Sequence, residues 1–157
     1  MGDMRPAVLI GILALGLALG SIVLGHVLLV PMLQANTSLV DANLARALAE
    51  PLAMRSAELC LLAVVVLAGV ARAWLRHHAG TTLGLLAAGL AALDRFVILP
   101  RSHEAWARVD LVAMRPANRI EAAEQLSMVH EANIAALALV LVGIATLASW
   151  KREAATS

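Results

Sequence analysis

His26, Arg55, Glu58, Asp94, Arg95, His130, Glu131 and Asn133 are the residues best equipped for chemistry, and each lies within or against a long apolar stretch. A charge in hydrocarbon is costly and marks a pathway, a site or an internal ion pair. One reading is an ion-pair network that fixes helix register, each charge relieved by an opposite one. Another is a proton or small-ion relay in which Asp94, Glu58 and His130 titrate. A third is soft-metal handling: Met32, Met54, Met114 and Met128 join His26, His103, His130 and Cys60 in offering the thioether, imidazole and thiolate ligands that Cu(I) prefers. His26, Cys60 and His130 are the metal candidates, although none of these outer-half residues pairs at M-x-x-M or C-x-x-C spacing. The fourth is a b-type haem, or a quinone, with His26 and His130 as the one pair of histidines at matched depth on different helices. No resident cofactor is expected, with haem or copper as the exceptions.

The matched depth comes from the elements that must carry these residues. With 61% apolar and 15% charged residues and a mean hydropathy of +0.84, the chain has a membrane protein's composition. Its 157 residues accommodate four spans of about 20 residues. The expected fold is all-α, a single integral membrane domain forming a four-helix transmembrane bundle with spans near 7–31, 51–75, 79–100 and 130–150. Consecutive spans run in opposite directions, so the ends of the first and third lie beside the starts of the second and fourth. At 1.5 Å per residue, Asp94 lies about 9 Å inside the helix end at Pro100, and His26 about 7.5 Å inside the one at Pro31. The opposite half of every span is nearly bare of polar residues, so no complete transport path is visible. Arg55 and Glu58 can pair at i, i+3. Asp94 and Arg95 point about 100° apart, which sends Asp94 to the interior and Arg95 toward the headgroups.

Small residues set the expected contacts: Gly16 and Gly20 on the first span and Gly80 and Gly84 on the third, at the four-residue spacing that lets helices approach closely. The first block reads as a retained helix because its uncharged run continues to Val40 with no A-x-A site. Leu39, Val40, Leu44, Leu48 and Leu52 fall on one side of a short helix capped by Thr37 or Ser38, lying on the membrane surface. Pro51 then suits the first turn of the second span. A second short helix is expected over 102–114, also on the non-cytoplasmic side, followed by a capping box at Asn118 and Glu121.

Trp74 and Trp150 are each followed within two residues by basic residues, which marks one headgroup interface twice. That face carries Arg5, Arg72, Arg76, Lys151 and Arg152 against Asp3 and Glu153, a net of +3. The other face has seven arginines and nine carboxylates, a net of −2, spread over longer connections. Both termini are therefore expected in the cytoplasm, the chain being a multi-pass protein of a bacterial inner membrane. The net charge of +1 and the scarcity of aromatics argue against nucleic acid as a partner. The lone Cys60 rules out an intramolecular disulfide.

The run G-H-V-L-L-V-P-M-L (Gly25 to Leu33), the L-P-R step (Leu99 to Arg101) and H-E-A-N (His130 to Asn133) resemble the four-span family related to animal transmembrane protein 205. The resemblance covers nearly the whole chain and implies no established reaction. Asn133 stands where serine is commoner in that family, and Asp94 with Arg95 occupies a helix end that is usually less charged. The function expected from sequence is that of an accessory or interaction subunit, as a homo-oligomer or in a larger membrane complex. The alternatives are ion or copper-type metal handling, and a haem or quinone redox role.

Overall fold

The computed structural model describes residues 4–35, 41–75 and 77–153. The first span comprises α1 (Met4–Ile22), a π-helical segment (Val23–Leu29) and α2 (Val30–Ala35). The second is α3 (Ala42–Leu75), and the third joins α4 (His78–Leu93), a second π-helical segment (Asp94–Ile98) and α5 (Leu99–Trp106). The fourth is α6 (Ala117–Glu153). Four stretches are long and apolar enough to cross a membrane: Pro6–Leu33, Ala42–Leu75, His78–Trp106 and Ala117–Trp150. Among the described residues the only β-type pairing is an isolated bridge between Asp110 and Arg115. Helices are the natural outcome because each satisfies its own backbone, the condition for running through lipid.

The helices pack in a ring, α1 on α3, α3 on α4 and α4 on α6, with α6 closing against α1. Leu67, Val64, Leu137, Leu141 and Ile144 fill the middle, and Ala18, Ala63, Ala87 and Ala91 line the seams. Leu9, Leu13, Leu17, Leu62 and Leu139 point outward, as expected of helices apolar all round in a lipid solvent.

Close approaches depend on glycine at Gly11, Gly25, Gly80 and Gly84. A Cβ on Gly84 would stand 3.0 Å from the Ala68 backbone, and one on Gly11 would enter the Trp74 ring. Gly80 faces the Leu75 side chain. Gly16 and Gly20, expected at contacts, instead lie on the outward face of α1 with nothing within 4 Å. The helix turns its Ala14, Ala18 and Ser21 side to the core, and the glycines fall on the other.

The spans overrun their expected bounds. At 34 residues, α3 is about 51 Å long, against a hydrocarbon core of about 30 Å. Residues 42–52 therefore belong to α3 rather than to a separate short helix, and Pro51 sits inside the helix instead of in its first turn. The helix survives because Ala47, whose carbonyl loses its partner to the proline, is exposed and open to solvation. Asp41 starts α3 by accepting from the Leu44 N–H at 2.9 Å, while Thr37 and Ser38 lie outside the described residues. Pro31 and Pro100 do not end their helices either. Each follows a π-helical segment by two residues, and the carbonyl four residues back, at Val27 or Phe96, lies inside that segment. The widened i to i+5 course, seen where the Leu99 N–H bonds to the Asp94 carbonyl, takes up the clash that the proline ring would cause.

The expected helix over 102–114 is thus the end of the third span to Trp106 and then a turn. Helix α6 opens at Ala117, ahead of Asn118, with the Arg119 and Ile120 amides bonded to the Pro116 carbonyl, so no capping box forms. The Asn43 side chain clasps the turn. Its Nδ2 donates to Asp110 Oδ1 at 2.9 Å and its Oδ1 accepts from the Leu111 N–H at 2.9 Å. The Asn43 bond, together with the Ala113 and Val112 amides, holds the Asp110 carboxyl below its ordinary range.

A depressed folded-state value stabilises above the ordinary aspartate range and is lost as pH falls through the lowered value. Hydrogen-exchange protection of the Leu111, Val112 and Ala113 amides, once corrected for intrinsic rates, should therefore decline only on strong acidification. Asp110→Ala should remove it at neutral pH. In detergent melts, Gly84→Leu should cost about 1–3 kcal/mol by overpacking, while Gly16→Leu and Gly20→Leu leave the melting of the monomer undiminished.

Candidate functional site

Among the described residues Asp94 is the one acidic residue with a buried side chain, at 2% exposure. The first residue of the second π segment, it faces α6, where His130 and Asn133 stand i, i+3 on one side of the helix. Its Oδ1 lies 2.7 Å from His130 Nδ1 and accepts from Asn133 Nδ2 at 3.3 Å. Asn133 also donates to the Leu90 carbonyl at 3.1 Å, tying α6 to the turn just before the carboxylate. His26, carried by the first π segment, places its ring 4.9 Å from that of His130, tilted by 52°.

The remaining charges form a separate set. Arg55 donates to Glu58 Oε2 and Arg95 to Glu58 Oε1, both at 2.7 Å. Arg95 therefore turns to an anion on α3 instead of reaching for the headgroups. The π-helical course changes its angular offset from Asp94, and Glu58 supplies a partner that a headgroup-facing arginine would forgo. Of the eight residues singled out by sequence, Asp94, His130, Asn133 and His26 come together. Arg55, Glu58 and Arg95 form the second set, and Glu131 stands exposed at the rim of a crevice.

That crevice, about 300 Å³, opens at the end of the bundle between all four spans. His26 and His130 line it together with His103, Arg46, Glu50 and Ser127. The Arg46 guanidinium lies 4.0 Å over the Trp106 ring, whose Nε1 donates to Ser127 Oγ at 2.8 Å. Sequence reasoning missed Arg46, Glu50, Ser102 and Trp106 because it bounded the second and third spans at Pro51 and Pro100, and Ser127 because it began the fourth span at His130. Running both helices through their prolines would have brought the first four into reach. It also missed Ser56, whose hydroxyl sits over Gly25 and donates to the Ser21 carbonyl at 2.5 Å.

The residues present fit some of the expected ligands poorly. A haem iron with an imidazole on each side needs ring centroids about 6 Å apart or more, given metal–nitrogen distances near 2 Å. At 4.9 Å, the His26 and His130 rings leave no room for a porphyrin between them. Among the described residues, no three of His, Cys, Asp and Glu are grouped to hold a metal ion. Met114 and Met128 face outward while Cys60 is buried, so thioethers and thiol do not converge. Comparison with known protein families, characterised proteins and solved structures finds no match.

Removing the carboxylate strands donors in the interior. Asp94→Leu should lower stability by about 1–3 kcal/mol, the cost of leaving buried polar partners unmet. Asp94→Asn, which keeps an acceptor for Asn133, should be the milder change in detergent melts.

Proposed function

We propose that this is a small multi-pass membrane protein that binds and releases a proton at the Asp94–His130 dyad, reached from one membrane face through the crevice. The observation that carries this reading is Asp94 itself, a carboxylate buried to 2% exposure against an imidazole that also borders the crevice. His130 meets Asp94 through Nδ1, which leaves its other ring nitrogen for the crevice side. An aspartate behind a histidine orients the ring and stabilises its charged form, a standard means of building an acid–base group. Among the described residues, the polar side chains Ser21, Asp94, Ser102 and Asn133 that are buried as a whole belong to this half of the bundle, which supports loading from one side.

A role as an accessory subunit is the second reading, favoured by the outward Gly16 and Gly20 among exposed Leu13 and Leu17. Their leucine variants, harmless to the monomer, are the ones that would break such an assembly. In both readings the face carrying the termini is cytoplasmic in a bacterial inner membrane. The ends of α3 and α5 beyond the hydrocarbon take the place of surface helices, and the family related to transmembrane protein 205 is the proposed kin.

Infrared difference spectra of the reconstituted protein between alkaline and acidic buffer test the acid–base reading. The imidazolium signal gained on acidification should be smaller by one histidine in His130→Gln than in the wild type, with no net proton flux across proteoliposomes. An imidazolium signal unchanged by His130→Gln, or a sustained flux, refutes it.

A further inference from the structure

Beneath the crevice lies a second space of about 10 Å³, bordered by His26, Ser56, Cys60, Ala91 and Asp94. A volume of about 10–15 Å³ by a water-sized probe is what one water molecule needs, provided that two to four polar groups meet it. Asp94 accepts both of its protein hydrogen bonds on Oδ1, and its buried Oδ2 has no protein partner among the described residues. Ser56 spends its hydroxyl proton on the Ser21 carbonyl, so its oxygen can only accept. The His26 ring carries at least one N–H in any protonation state. The rest of the wall, including Ile22, Ala57, Ala91, Ile134 and Leu137, is apolar.

We infer that this cavity binds one water molecule, which donates to Asp94 Oδ2 and Ser56 Oγ and accepts from a ring N–H of His26. Hard cations such as Mg²⁺ take about six oxygen ligands, whereas Asp94 and Ser56 alone among the lining residues bring side-chain oxygens, so the ligand is water and not a metal ion. His26 borders both the cavity and the crevice. Its ring is the partition across which the water exchanges with the exterior. The inference does not depend on proton uptake, since a purely structural Asp94 needs the same partner.

Ala91 borders the cavity, and its replacement by threonine or valine adds nearly the same shape with or without a hydroxyl. In a wet cavity, Ala91→Thr substitutes for the water, whereas Ala91→Val displaces it and strands Asp94 Oδ2. The threonine variant should melt higher, and the gap should close in an Asp94→Leu background. A valine variant at least as stable as the threonine one, or a gap that persists without Asp94, overturns the inference.

Should neither Ala91 variant fold, Cys60 serves as a reporter, being the sole cysteine and part of the same wall. Methyl methanethiosulfonate should label it slowly in the wild type and in His26→Phe. Labelling should be roughly tenfold faster in His26→Ala that elutes as the wild type does, because the thiol reacts only where water and reagent reach it. Equal rates in all three would show that His26 is no partition and that the cavity is not a water site joined to the crevice.

Discussion

A carboxylate enclosed by four apolar helices must find its donors within the protein, and much of one half of this bundle answers that need. Asn133 and His130 come from α6, one turn apart, and both meet the same oxygen of Asp94. Asn133 reaches past the carboxylate to the Leu90 carbonyl and so fixes α6 against the third span at a single height. Hydrophobic packing alone would let two such alanine- and leucine-rich surfaces slide past each other. A buried polar contact of this kind sets register at some expense in stability.

Charge is shared out so that the dyad keeps no arginine. Glu58 engages Arg55 with one oxygen and Arg95 with the other, which holds both guanidinium groups on the α3 side. Closer to the open end, Arg46 rests on Trp106, and Trp106 bonds to Ser127, so that α3, α5 and α6 are joined above the histidines. Asp94 is thus left with His130 and Asn133 as its partners among the described residues.

Much of this was legible in the chain. The apolar blocks gave the helices, and counting residues inward from Pro31 and Pro100 brought His26 and Asp94 to one level. The Arg55–Glu58 pair followed from its spacing. What could not be read was the behaviour of the prolines. Reading each as a helix boundary misplaces the ends of three spans and hides the crevice. The glycines misled for a different reason. Spacing identifies a face of small residues, but Gly16 and Gly20 show that it does not say which neighbour the face meets. Gly11, in no repeat, makes room for Trp74, and Gly25, four residues after Ser21, makes room for Ser56.

The two π-helical segments divide the first and third spans into a lower and an upper frame. An i to i+5 turn holds one more residue than the helix around it, so side chains above each segment are rotated relative to an uninterrupted α-helix. A single-residue insertion into an ordinary helix has the same effect. In both spans the shift occurs at the level of the polar residues, and it brings His26 and Asp94 to one cavity. The lower frames can then preserve an all-apolar seam while the upper frames change which residues face inward. Variation in the open end of the molecule is in this way uncoupled from the packing that holds the bundle together.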